Sequence, residues 1–556
     1  MPDNLHPEIR LASPRSAGLL LRVPHPPDPA AQQQPTLDTA ELEARGPRGL
    51  TTGERVALRR RLSPRWAFFS FAVLGLLGVT LWLRYTAPAP APTAIAPEPR
   101  PSSIAVLPLV NASPDSANEY FSDGMAEELT AALGRVPGLR VAAPSSAFAV
   151  RRRSEDPREA GRRLNVATVL EGSVRLANDR LRVTVHLVSV SEGFDLWSET
   201  YDRPPGEVFA VGNEIAQSVV AAMRAPGAGP LPPTPVPTSS LDAYTAYLRA
   251  QHALRRPGAA DPTRAVALFQ EAIGLDSSFA AAWAGLASAH AQRGIAEGAR
   301  PADAMPAART AAIRALAIDS TLAVAHTMLG LVRFLYDWEW SGADSAFQRA
   351  LVINPNRPEV HRWYSRLLAA VGRPDEALMH GRRAQELSPL DPETIAHVGW
   401  LHLYAKRYGE ARESFEQASA VDTSLAGTRF QLGFLAEVLG DYELAESHYR
   451  SALDQAPGDI EVLASIGRAH ALDGRPDDAR AVLAQLDSLS AGRYVSPYLL
   501  AGIAEALGDG RRAFAWLEEA VADRVGQMVY LNLDPRLDRL RGDRRFARIR
   551  RSVGLP

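Results

Sequence analysis

The 556-residue chain contains no cysteine, which excludes disulfides, thiol catalysis, iron–sulfur clusters and cysteine-ligated zinc. The compartment stays open, because reducing and oxidising spaces both tolerate a chain without thiols. Excess charge of either sign is missing as well: the formal net charge is −2, so no global basic field points to nucleic acid. Lysine is nearly absent, and Lys406 stands alone among basic residues that are otherwise arginine; a codon bias explains that better than a function. There is no HExxH, no Gly-x-Ser-x-Gly, no Walker phosphate loop and no Gly-x-Gly-x-x-Gly after a strand. His397 and His402 are five apart rather than the four that would share a helical face. No cofactor, metal or enzymatic activity is expected on these grounds.

What is present changes sharply along the chain, which is too long for one core. Residues 1–65 are rich in Pro, Ala and Gln without an apolar period, and read as a disordered cytoplasmic tail. Residues 66–83, "WAFFSFAVLGLLGVTLWL", hold no charge and would reach about 27 Å as a helix, close to a bilayer's hydrocarbon thickness. Trp66, Trp82 and Tyr85 mark its ends, with Arg59, Arg60, Arg61 and Arg65 before it and only Arg84 after. The spacing predicts a single transmembrane helix with the N-terminus cytoplasmic. A Pro/Ala-rich linker, 84–102, would lift the next domain off the membrane.

From Ser103 the texture is that of strands and short helices. "SIAVLPLV" reads as a buried strand, and Phe121, Met125, Leu129 and Leu133 recur at a helical step. Ser122-Asp123-Gly124 reads as the start of that helix, with Glu127 and Glu128 suited to its positive end. Asp156 before Pro157 signals a second helix, and Asn178-Asp179 signals a hairpin turn. After that turn Leu181, Val183, Val185 and Leu187 alternate with Arg182, Thr184 and His186, as on a strand with one buried face. Glu207–Met223 closes the unit with an amphipathic helix. The expected order is β-α-β-α-β-β-α, a small α/β unit with a mixed sheet over 103–224. "EYFSDGMAEEL", "VLEGSVR" and "LWSETYDR" within Ser103–Met223 resemble the TolB-like N-terminal domain family. In related chains that domain often follows a winged-helix, protein kinase or nucleotide cyclase unit. The 65 residues before the apolar segment are too short and too polar to hold one. The resemblance implies a fold and an outer compartment, and no reaction.

A Pro-rich linker, 225–240, leads to the second half. There Ala343, Ala377, Ala411, Ala445, Ala479 and Ala513 are each 34 residues apart. Phe347, Gly381, Phe415, Tyr449, Leu483 and Leu517 keep the same step, as do Gly399, Gly433 and Gly467. Pro355, Pro389 and Pro457 fall where a second helix should stop. This is the signature of tetratricopeptide repeats, about eight over 241–530, followed by an Arg-rich C-terminal cap, 531–556. Upstream, an insertion of eight to nine residues near "GIAEGARPADAMP" and one extra residue at "DWEW" loosen the register. Such an array is a superhelix whose concave surface takes an extended peptide or partner helix. Candidate contact residues on the first helices are Arg362, Arg366, His397, Tyr404, Arg429 and Gln431.

Together these features predict a bacterial inner-membrane scaffold, anchored by Trp66–Leu83, that binds proteins or peptides through a periplasmic repeat groove. The alternative is a transmembrane sensor that passes a state to a cytoplasmic partner. A domain lost upstream of the start would change either reading.

Overall fold

A computed structural model describes residues 102–115, 118–151, 156–223, 238–255, 260–295 and 299–555. The expected tail, the Trp66–Leu83 span and most of both linkers lie outside the described residues. Among the described residues no helix is long and apolar enough to cross a membrane.

The first unit contains β1 (Ser103–Val106), β2 (Val110–Asn111), α1 (Glu119–Leu133), β3 (Arg140–Val141), α2 (Pro144–Arg151) and α3 (Pro157–Arg163). It continues through β4 (Thr168–Ala177), β5 (Arg180–Ser189), β6 (Asp195–Arg203) and α4 (Val208–Ala222). The sheet is mixed, in the order β3-β1-β4-β5-β6, with β2 also on β4. Strands β1 and β2 run parallel to β4, whereas β5 and β6 are antiparallel neighbours. The hairpin turn forms as its residues require, with Asn178 and Asp179 left-handed at φ 52° and 57°. Leu181, Val183, Val185 and Leu187 are fully buried. Asp156 caps α3 by accepting from the Arg158 amide at 2.9 Å. Strands β2 and β6 and helix α2 were not expected. Strand β6 escapes the alternation rule because it has a neighbour on one side only; Tyr201 is its one buried residue.

Among the described residues eight helix pairs follow. They are α5 (Leu241–Arg255) with α6 (Pro262–Leu275), α7 (Ala280–Ile295) with α8 (Pro301–Ile318), α9 (Ala323–Val332) with α10 (Trp340–Ile353), and α11 (Pro358–Ala370) with α12 (Pro374–Leu387). The remaining pairs are α13 (Pro392–Tyr404) with α14 (Tyr408–Val421), α15 (Ala426–Val438) with α16 (Tyr442–Gln455), α17 (Ile460–Leu472) with α18 (Pro476–Ser490), and α19 (Pro497–Ala506) with α20 (Gly510–Ala522). The insertion lengthens two helices: α7 and α8 have 16 and 18 residues, against 13 and 14 in α13 and α14. The extra residue at "DWEW" is absorbed by a π-turn over Arg333–Asp337 and a left-handed Trp338.

The 34-residue register exists because the two helices of a pair approach too closely for side chains at their crossing. A Cβ on Gly399 would lie 2.6 Å from the Phe415 ring, and one on Gly433 would lie 2.7 Å from Tyr449. The aromatic ring on the second helix thus packs on the bare backbone of the first. The turn between helices needs one left-handed residue, supplied by Gly372, Gly440, Gly474 and Gly508 at φ between 75° and 84°. In the remaining unit of that series Lys406 takes the position at φ 60°, a strained backbone for a residue with a Cβ.

Two substitutions test this geometry by urea unfolding. Lys406→Gly should stabilise by roughly 0.5–1 kcal/mol, as relief of left-handed strain exceeds the added chain entropy. Gly433→Ala should destabilise by about 1–3 kcal/mol through overpacking against Tyr449.

Candidate functional site

The first helices α11, α13, α15, α17 and α19 touch one another in succession and form the inner layer of the array. After α20 the chain does not stop at the last repeat. It makes two 3-10 turns, Gly526–Tyr530 and Pro535–Leu540, and a final helix, α21 (Arg544–Val553). Short capping helices were expected over the last open face, and α21 packs on α20 of the last pair, with Arg545 over Phe514 at 4.0 Å and Arg548 paired with Glu518 at 2.8 Å; the two 3-10 turns lie instead against the inner face of earlier repeats. Val525, Met528, Val529, Leu531, Leu537, Leu540, Phe546, Ile549, Val553 and Leu555 are all buried. They share one apolar cluster with Leu335, Tyr364, Trp400 and Tyr498.

Two polar side chains anchor this segment. The Tyr530 ring lies 5.2 Å from Trp400, 6.2 Å from Phe334 and 6.3 Å from Tyr404. Burial pushes its hydroxyl up from the ordinary range, while the neighbouring Arg366 charge acts the other way. The Arg536 guanidinium sits 5.0 Å from Phe434 and 5.7 Å from Tyr498, over both rings. Its charge is met by Asp534 at 2.7 Å and Glu461 at 4.0 Å. Beside it Arg468 is buried between Glu437 and Glu505, both at 2.8 Å, and donates to the Arg536 carbonyl at 3.2 Å. At the far end the array closes on itself. Arg524 stacks on Trp338 at 4.5 Å and donates to the carbonyls of Tyr336 and Asp337 at 3.4 and 3.3 Å.

Of the six candidate residues, Arg366, His397 and Tyr404 gather around Trp400 on this face. Arg366 lies over Trp363 and Trp400 at 5.0 and 5.3 Å. His397 bonds Ser365 Oγ through Nε2 at 2.6 Å and stacks on Trp400 at 5.7 Å. Burial, then the charges of Arg366 and Arg362, hold its imidazole well below the usual range and hence neutral. Tyr404 joins the same aromatic group, 4.3 Å from Trp400. Arg362 donates to Glu393 Oε2 at 3.2 Å. Arg429 and Gln431 stand one repeat further on, with Arg429 Nε and Gln431 Oε1 buried and without a hydrogen bond. Trp400, Phe434, Glu461, Tyr530 and Arg536 were not singled out from sequence. The spacing of Phe546, Ile549 and Val553, an apolar stripe in an Arg-rich end, was the signal that the segment seeks a surface. Among the described residues no group of three or more His, Asp or Glu could hold a metal ion.

The other end of the array is covered by the α/β unit. Tyr244 of α5 meets Phe121 and Phe209 edge-on at 6.1 and 4.5 Å. Ser122-Asp123-Gly124 is not the helix start, because α1 begins at Glu119 and places all three inside it. Gly124 is where Leu248 crosses: a Cβ there would lie 2.4 Å from Leu248 Cδ2. Asp123 faces His252 at 3.9 Å. Further on, Asn356 donates to the carbonyls of Gly134 and Leu139 at 3.1 and 2.9 Å, and the Ala143 amide donates to the Leu387 carbonyl at 2.8 Å. In this seam burial pushes the Glu128 carboxyl up from 4.5 to about 7, although the Tyr244 hydroxyl and Arg135 act the other way.

The seam and the closing segment can each be probed. An acid whose folded pKa is raised contributes its stability in full below pH 4.5 and loses it as the pH rises through about 7. Glu128→Gln should therefore flatten the fall in stability between those values, an effect of roughly 3 kcal/mol at most, read from urea midpoints across pH. Separately, a Cβ on Gly526 would lie 3.6 Å from Leu335 Cβ, within the disulfide range of about 3.5–4.5 Å. Leu335→Cys/Gly526→Cys, in a chain free of other thiols, should form an intramolecular disulfide seen by non-reducing mobility.

Tetratricopeptide repeat family models match residues 399–460 and 438–496. The chain is 43% identical over 122 residues to putative adenylate cyclase 3 of Rhizobium meliloti (strain 1021), a stretch covering 22% of this chain and 21% of that protein. The chain spans between 14% and 23% of the length of the curated relatives it matches. Among solved structures it is similar to Pseudomonas aeruginosa pilF, at 23% identity and TM-score 0.30, over 39% of this chain and 95% of that one. It is likewise similar to a thermophilic tetratricopeptide repeat protein of Thermus thermophilus, at 20% identity and TM-score 0.29, over 30% of this chain and 92% of that one. Both matched stretches lie within the part of the chain that keeps the strict register, and residues 399–496 are tetratricopeptide repeats.

Proposed function

We propose that this chain is a membrane-anchored scaffold of the bacterial envelope, with the α/β unit and the repeats in the periplasm. Tetratricopeptide repeats are protein-binding elements, and the observation that carries the scaffold reading is the seam. Tyr244, Phe121 and Phe209 pack together, and Leu248 lies against Gly124, so that the α/β unit and the first repeat share one core. Two parts joined this way present their surfaces to partners at a fixed distance and angle, which is what a scaffold requires. The anchor and the compartment are supported by the uncharged segment 66–83 and the arginines before it. The resemblance of residues 103–223 to TolB-like domains agrees with an outer compartment. The likeness to the Rhizobium protein covers 21% of that protein, too little to bring its named activity with it.

A second reading, a transmembrane sensor, draws on Glu128: a carboxyl that titrates near neutrality inside the seam would make domain docking responsive to conditions. Deleting residues 1–60 should abolish the output of a sensor and leave a scaffold's assembly unchanged.

Paired fusions of a cytoplasm-active and a periplasm-active reporter, placed after Met223 and after Pro556, test the topology. Activity of the periplasmic reporter alone at both points is the expected result. Activity of the cytoplasmic one would move the scaffold to the cytosol.

A further inference from the structure

The inner face of the repeats is already occupied, and by a segment of the chain itself. Residues 524–555 meet it through two kinds of contact. Val525, Met528, Val529, Leu531, Leu537 and Leu540, buried ahead of α21, supply bulk adhesion, while α21 packs on α20 of the last pair. Tyr530 and Arg536 supply the specific part, each in a seat built from several repeats: Tyr530 among Trp400, Tyr404, Phe334 and Arg366, and Arg536 against Phe434, Tyr498 and Glu461. An aromatic slot followed by an aromatic-acidic slot is how a repeat groove would read a ligand with a ring and a guanidinium at fixed spacing.

The junction that leads into the segment carries strain on both sides. Arg524 and Trp338 stack on each other, and both are non-glycine residues in the left-handed region, at φ 53° and 59°. Neighbouring contacts hold it: Tyr494 donates to Asp523 at 3.0 Å, and Arg309 pairs with Asp337 at 2.8 Å. Strained backbone persists only where surrounding contacts hold it, so loss of those contacts would release this junction first.

We propose that the inner face of the third to eighth repeats is a recognition surface for a protein segment bearing an aromatic residue and, six positions on, an arginine. Residues 524–555 are its built-in occupant and keep it closed until the Arg524–Trp338 junction opens. This rests on the reading of the array as a protein-binding scaffold and names the partner class and the control of access. Because so much apolar surface is buried, a free peptide cannot displace the intact segment by mass action. Release at the junction has to come first.

The test uses the full chain with a site-specific protease sequence inserted between Ala522, which is exposed, and Asp523. After cleavage, circular dichroism follows the fold, and fluorescence anisotropy follows uptake of a labelled synthetic peptide of residues 524–555. The expected result is an unchanged helical signal, uptake by the cleaved chain and none by the intact chain. Peptides with Tyr530→Ala or Arg536→Ala should bind at least tenfold more weakly. A second peptide, with only the tyrosine and the arginine kept at their spacing in a polar background, should still compete, and its scrambled version should not. Loss of the helical signal on cleavage, or a folded cleaved chain that takes up no peptide, would overturn the proposal and make the segment ordinary core. Failure of the polar-background peptide alone would overturn the partner class. The topology fusions are indifferent to every one of these outcomes, so the scaffold reading can stand when this inference falls.

Discussion

A tetratricopeptide helix pair cannot bury its apolar face by itself, and everything in this molecule follows from that constraint. Each of the eight pairs gives its neighbour a surface, which works in the middle of the array and fails at both ends. This chain meets the two open ends with different devices. At the first, an α/β unit lays α1 and α4 on α5, so that Tyr244 enters the core of the sheet domain. At the last, the two 3-10 turns fold back against the inner face of earlier repeats, and α21 lays its apolar side on α20 of the final pair. Both make the array inseparable from what flanks it.

The second device changes what the inner face is. A superhelix with an open groove offers its first helices to solvent, and their charged and aromatic residues read as ligand contacts. Here part of that face, around Trp400, Phe434 and Tyr498, is enclosed by the segment, and enclosure raises the demands on every polar atom. Arg468 meets that demand with two carboxylates and two carbonyls, and Arg536 with Asp534, Glu461 and two aromatic rings. Buried ion pairs of this kind add little net stability over apolar packing, but they define a single register for the segment that carries them. That is the property expected of a recognition surface, and a purely structural plug has little need of it.

Electrostatics also distinguishes the two ends. The C-terminal segment meets the repeats through arginines, which stay charged at any ordinary pH: Arg536 on Glu461, Arg539 on Glu505 and Arg548 on Glu518. The seam at the α/β unit depends instead on Glu128, a carboxyl that burial brings into the physiological range beside Tyr244 and Arg135. One junction of the molecule is therefore far less sensitive to pH than the other.

Much of the fold was legible in the sequence because it is written in local, periodic terms. The alanine and glycine positions at a 34-residue step, the helix-stopping prolines, the Asn178-Asp179 turn and the alternation along β5 each express a steric rule that acts within one or two elements. The start of α1 was not legible, since Ser122-Asp123-Gly124 has the composition of a cap; Gly124 is there because Leu248, far along the chain, needs the space. Strand β6 was hidden for the related reason that an edge strand buries too little to show a pattern. For the candidate site, sequence placed Arg362, Arg366, His397, Tyr404, Arg429 and Gln431 on the first helices, where the small-residue packing positions leave room for them. It could not show that Tyr530 of a distant segment packs beside Arg366 and Tyr404. Sequence by itself determined which surfaces are apolar and how often they recur, because period and side-chain type are properties of neighbours in the chain. Tertiary structure alone decided which surface meets which, because burying the last unpaired faces is a global condition, satisfied here by residues as distant in the chain as Leu335 and Gly526.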